Sequence, residues 1–156
     1  MTLRRSAVLF SIALLLGIAS IFGRPRISPK AGAPLLAGAE VPTDVMHTLE
    51  RSCRDCHSEA TTYPWYSFVA PVEWLIASDV SRGRGHLNMT EWQTYSLVRR
   101  ERLLSEIANQ VRDGDMPLWQ YLIIHRGARL SQADVHAIFR WTQAERMRLI
   151  EGGGKP

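Results

Sequence analysis

Cysteine and lysine are nearly absent from this 156-residue chain, which holds two of each. Lys30 and Lys155 are the only lysines, so no lysine ring is available to dock an acidic partner. The two cysteines, Cys53 and Cys56, stand three apart. A disulfide between them would close too short a loop to stabilise a fold much. A structural zinc site would need a second close pair of Cys or His, and none follows. Period-two alternation of apolar and polar residues is also missing, which argues against sheets. No internal repeat is visible, and the length fits one compact domain plus a targeting segment. A net positive charge in the folded part is a further absence. Five of the 19 basic residues (Arg4, Arg5, Arg24, Arg26 and Lys30) fall in the first 30 positions, leaving 14 against 15 acidic ones. The pI of about 9.5 therefore marks the flanks of one segment rather than a basic face, and nucleic acid is not expected as a partner.

What is present begins with an uncharged run of 18 residues, Ser6 to Gly23. That is close to the minimum for a bilayer-spanning helix and long for the apolar region of a cleaved signal peptide. No small-x-small cleavage site follows at the right distance, so residues 1–23 are expected to form an uncleaved signal anchor, a transmembrane helix that makes the membrane a partner. Residues 24–41, rich in Pro, Gly and Ala, read as a flexible tether. Residues 42–150 form the folded domain and 151–156 a disordered tail.

Within the domain the periodicity predicts helices throughout. Pro42-Thr43-Asp44 starts one that carries Val45, Met46, Leu49 and Cys53 on a single face. Ser58 to Tyr66 suits an irregular loop. Pro71 opens a second helix with Val72, Leu75, Ile76 and Val80 inward, closing at Gly83 or Gly85. Asn88 and Glu91 resemble a capping box for a long helix through Trp92, Val98, Leu104 and Val111, stopped by Asp113-Gly114. Asn88-Met89-Thr90 also matches a glycosylation acceptor but is read as a cap only. A loop covers 115–130, and Ser131 with Asp134 caps a last helix burying Val135, Ile138, Phe139 and Thr142. The fold class is all-α.

Cys53-Arg54-Asp55-Cys56-His57 is C-x-x-C-H, the attachment signature of c-type haem. Thiols one helical turn apart can bond to two vinyl groups on one porphyrin edge, and the adjacent histidine lies over the iron. A thioredoxin-like dithiol would want a strand before the motif, where a helix is predicted. One covalent haem c is thus expected on Cys53 and Cys56, with His57 as the proximal iron ligand. Such attachment takes place outside the cytoplasmic membrane, which gives a single-pass protein of the bacterial inner membrane with its domain in the periplasm. The alternative is a soluble periplasmic protein after signal cleavage. For the sixth ligand Met116 comes first, presented between Asp115 and Pro117. His125 is the alternative, ahead of His86, with an open site third.

The order of further motifs is informative. Thr62-Tyr-Pro-Trp-Tyr66, Ala70-Pro71-Val72, Gly85-His86-Leu-Asn88, Glu91-Trp92, Gly114-Asp-Met116-Pro117 and Tyr121-x-x-x-His125 follow the cysteine motif in turn. Across roughly Pro42 to Trp141 the chain resembles the bacterial haem-binding domain family. The resemblance implies a single-haem, cytochrome c-like helical domain behind an N-terminal membrane segment. Ser58-Glu59-Ala60 departs from the frequent Ser-Asn-Asn of the family, which bears on the contacts of that loop. The expected function is electron transfer to an unidentified redox partner protein, not enzymatic catalysis. The alternatives are a peroxidase-like haem enzyme and a haem-based sensor with a displaceable sixth ligand.

Overall fold

The computed structural model describes residues 2–22 and 32–153, and every regular element among them is helical. Helix α1 spans Thr2–Phe22, α2 Thr43–Ser52, α3 Arg54–His57, α4 Val72–His86, α5 Leu97–Asp113, α6 Trp119–Ile124 and α7 Gln132–Gly153. Short 3-10 turns at Trp65–Phe68, Met89–Thr94 and Arg126–Ala128 join them. The all-α expectation holds.

Helices α5 and α7 form an antiparallel pair at the centre. Glu101 meets Arg146 at 3.0 Å at one end, and Val111 and Val135 share a cavity at the other. Between them Leu103, Leu104, Ile138, Trp141 and Leu149 are buried with Trp92 and Met89. Helix α2 crosses α7 near its start, where Asp134 accepts from Thr48 Oγ1 at 3.1 Å and pairs with Arg51 at 2.9 Å. That carboxylate also caps α7. It accepts from the Ser131 amide at 2.8 Å while Ser131 Oγ accepts from the Asp134 amide at 3.1 Å, the reciprocal arrangement the spacing predicts. The α5 stop is likewise as expected, because Gly114 adopts φ 79° and lets the amides of Asp115 and Met116 close on the Gln110 carbonyl.

Four expectations are corrected. No helix among the described residues is long and apolar enough to cross a membrane. Arg4 and Arg5 lie within α1, and its uncharged helical part, 6–22, rises only about 25 Å, against roughly 30 Å of bilayer hydrocarbon. This overturns the transmembrane anchor, and with it the single-pass inner-membrane placement facing the periplasm. Second, 32–41 is not a tether. Leu36 is fully buried and its amide donates to the Met89 carbonyl at 2.8 Å. Trp141 Nε1 donates to the Glu40 carbonyl at 3.1 Å. The apolar anchors Leu35, Leu36 and Val41 outweigh the Pro/Gly composition, and the rest of the expected tether, 24–31, lies outside the described residues. Third, 151–153 continue α7, while 154–156 of the expected tail lie outside the described residues. Fourth, the expected long helix from Asn88 is two elements. Asn88 Oδ1 accepts from the Thr90 amide at 3.2 Å to cap the 3-10 turn, and Ser96 Oγ caps α5 through the Arg99 amide at 3.3 Å.

Ile138 has no exposed surface, so Ile138→Ala leaves a cavity between α5 and α7. Urea unfolding should show a loss of about 2–5 kcal/mol, and a loss below about 1 kcal/mol would mean that this seam is not the core.

Candidate functional site

Helix α2 ends at Ser52, and Cys53 carries the chain straight into the single turn of α3. Both cysteines are free thiols, with no disulfide between them. Cys53 packs on the core. Burial, reinforced by Cys56, pushes its thiol up to about 12. Burial first, then Asp55 and Asp79, raises Cys56 to about 11.

Helix α4 lies directly on this turn, and the contact is unusually close. A Cβ at Gly83 would stand 2.5 Å from the Cys56 carbonyl oxygen. Gly83 therefore does not end the helix, as its sequence suggests, but lets two backbones touch. The helix continues to His86 and delivers Leu87, whose carbonyl lies 3.1 Å from His57 Nδ1. A carbonyl only accepts, so Nδ1 carries the proton and Nε2 keeps its lone pair. Burial lowers the His57 pKa, holding the ring neutral. A neutral imidazole with one nitrogen oriented by a carbonyl is the form that ligates a metal.

The buried face of α4 differs from expectation. Glu73, Val80 and Gly83 face inward, whereas Val72, Trp74 and Leu75 are exposed. Packing through the glycine turns the apolar residues outward.

Polar side chains fix the loop after the motif from two sides. Arg84 Nε donates to the Ser58 carbonyl at 2.8 Å, and its guanidinium also meets Thr61 Oγ1 at 2.9 Å and Glu59 at 3.0 Å. Asn88 Nδ2 donates to Glu59 Oε1 at 2.8 Å, and Thr90 Oγ1 accepts from the Glu59 amide at 3.0 Å. Asn88 is buried, in keeping with its reading as a cap. Glu59, the departure from the family pattern, is well anchored here.

Asp55 ties the motif to α6. Its carboxylate accepts from the Thr62 amide at 3.0 Å and from Tyr121 Oη at 2.9 Å. Tyr121 stacks on His125, with centroids 4.1 Å apart and planes 6° from parallel. His125 Nε2 is 2.8 Å from Tyr66 Oη. Burial and the nearby Asp55 charge raise the phenol pKa of Tyr121 well above its ordinary value, and that of Tyr66 in the same direction.

The structure thus gathers Cys53, Cys56 and His57 into one turn and connects His125 to them through Tyr121. Met116 lies elsewhere, beyond the end of α5. It lines a cavity of about 500 Å³ with Val111, Leu122, Leu130, Val135 and Phe139, under the basic groups of Arg112, Arg129 and His136, and no motif residue shares that lining. His86 is exposed at the end of α4. Sequence reasoning missed Gly83, Arg84 and the Asp55–Tyr121 bond. No spacing in the sequence signals the last, which joins residues 66 positions apart.

The family model of the Haem-binding domain matches residues 15–144. The chain belongs to the Haem-binding domain family. The match extends well before Pro42, in line with the packing of 32–41 onto the core. No curated protein and no solved structure matches the chain. Haem is therefore the cofactor, and the residues of this haem-binding domain fit it. They offer a neutral, oriented imidazole and two free thiols within one turn, with exposed large apolar side chains on the neighbouring 3-10 turn, α4 and α6.

Two outcomes test this geometry. Gly83→Ala should cost about 1–3 kcal/mol as α4 is forced off the motif. Gly85→Ala, whose Cβ meets nothing within 4 Å, should be neutral or stabilising by up to about 1 kcal/mol, and equal effects of the two would refute the close approach. In haem-free protein the raised pKa values favour the protonated thiols. At pH 8 both thiols are then almost wholly protonated, Cys53 more completely than Cys56. Iodoacetamide labelling should rise about tenfold per unit from pH 8 to 10, Cys56 ahead of Cys53, and a plateau near pH 9 would contradict the burial.

Proposed function

We propose that the domain carries one haem c, bonded through Cys53 and Cys56 and ligated by His57 Nε2, and that it transfers electrons. The observation that carries this reading is the His57 Nδ1–Leu87 carbonyl bond at 3.1 Å beside two free cysteines. Bound there, the haem supplies a one-electron ferric–ferrous couple. The protein's part is to hold the ligand still. The Leu87 carbonyl fixes the His57 ring plane and raises its basicity. Asp55, Arg84 and Asn88 clamp the two ends of the motif loop, so the same ligand geometry serves both oxidation states with little rearrangement.

Met116 is the proposed distal ligand. Its thioether lines a cavity with apolar side chains but also with Arg112, Arg129 and His136, apart from the motif, so this assignment rests on its place between Asp115 and Pro117 and requires that loop to come over the iron. His125 is the less suited candidate, since Nε2, the nitrogen farther from its own backbone, already bonds Tyr66 Oη. A redox protein is the proposed partner. Trp65, Trp119, Ile123 and Ile124 are exposed on the elements that flank the motif, offering an apolar contact in place of the missing lysines.

Spectroelectrochemistry on the holoprotein tests this assignment. Reversible reduction and reoxidation is expected. Met116→Ala should lower the midpoint potential and remove the long-wavelength band of methionine-ligated ferric haem, while His125→Ala keeps that band. Holoprotein that cannot be cycled between the two states would sink the electron-transfer reading.

A further inference from the structure

The cavity where the ends of α5 and α7 meet α6 takes no part in the cysteine motif. It holds about 500 Å³, and none of Cys53, Cys56 and His57 lines it. That volume falls within the roughly 300–1,000 Å³ of small-molecule sites, which combine a mostly apolar wall with a few directing polar groups. Val111 from α5, Leu122 from α6, and Val135 and Phe139 from α7 supply such a wall. Met116 adds to it from the loop after α5. Three of the four others stand on the central α5–α7 pair, so the wall stays in place wherever that loop lies.

The polar side chains of the lining favour one kind of ligand. Arg112, Arg129, Gln132 and His136 can all donate hydrogen bonds, and none of the 15 acidic residues of the chain lines the cavity. Arg112 is already engaged, because its Nε donates to Asp113 at 2.9 Å. Arg129 is exposed and has no carboxylate partner among the described residues. Its guanidinium is a planar fork that matches the two oxygens of a carboxylate. A neutral lipid would leave that fork unused. A small inorganic anion would leave the apolar wall in water. A molecule with one carboxylate and an aliphatic chain satisfies both.

We propose that this cavity binds a free medium-chain aliphatic carboxylate, its alkyl chain against Val111, Val135 and Phe139 and its carboxylate on the Arg129 guanidinium, with Gln132 as a further donor. The chain supplies affinity by leaving water, and the arginine supplies the choice of charge.

Isothermal titration calorimetry on the intact holoprotein tests this with sodium hexanoate, octanoate and decanoate, each below its micelle concentration. One site per chain is expected, with affinity rising about two- to fourfold per added methylene. Decanol, which has the same chain and no charge, should bind more weakly by about fivefold or more. Arg129→Gln should weaken decanoate about five- to tenfold, and Phe139→Ala should flatten the dependence on chain length. Arg126→Gln removes an equal exposed charge outside the lining and should leave binding unchanged. Unaltered far-UV circular dichroism and haem absorption confirm that each variant keeps its fold. Absence of saturable decanoate binding, equal affinity for decanol, or decanoate binding by Arg129→Gln as tight as by the parent chain would overturn the site. Equal weakening by Arg126→Gln and Arg129→Gln would also overturn it, since general surface charge would then be the attraction.

Discussion

Helix α4 can lie against the Cys53–His57 turn only because position 83 has no side chain. The clearance that glycine provides, with the Cys56 carbonyl 2.5 Å from where a Cβ would stand, sets the path of the whole helix. Four residues later that path places the Leu87 carbonyl on His57 Nδ1. One hydrogen bond of this kind contributes about 0.5–1.5 kcal/mol net, yet leaving the half-buried ring nitrogen unpaired would cost more. The larger consequence is chemical, because the bond decides which nitrogen is free. The same packing turns Val72, Trp74 and Leu75 outward and buries Glu73. It also brings Arg84 over the loop that follows the motif.

Around this contact the polar groups act as a frame. Asp55 and Glu59 come from one stretch of chain and Arg84 and Asn88 from another; Arg84 and Asn88 both bond Glu59, and Asp55 bonds the Thr62 amide and the Tyr121 hydroxyl. A motif held on both sides has few ways to rearrange when charge on a bound group changes. The antiparallel α5–α7 pair supplies the rigid base, and the 32–41 segment closes it by threading Leu36 beneath the Met89–Thr94 turn.

Much of this was legible in the chain because short-range rules carried it. The Ser131–Asp134 cap, the Gly114 stop and the C-x-x-C-H turn each depend on residues within a few positions of one another. The misreadings arise where tertiary packing overrides local pattern. Gly83 reads as a helix end but serves an approach to a residue 27 positions earlier in the chain. Leu35 and Leu36 sit in a Pro/Gly-rich stretch whose composition says linker, yet two leucines suffice to bind it to the core. The apolar face expected for α4 points outward for the same reason. Helix α6 was hidden in an expected loop because six residues cannot show a helical period. At the site, Cys53, Cys56 and His57 were readable from spacing, whereas the partnership of Tyr121 with Asp55 depends on how α6 folds back.

In the proposed function this turn binds haem through covalent bonds to both cysteines. Intact-mass spectrometry of the full chain, produced in cells that carry out c-type haem attachment and then fully denatured, tests it most directly. A chain heavier by one haem is expected, with the added mass mapped to the peptide that contains Cys53 and Cys56 and neither thiol open to alkylation. A denatured chain of unmodified mass, released from its haem and alkylated at both cysteines, would contradict it.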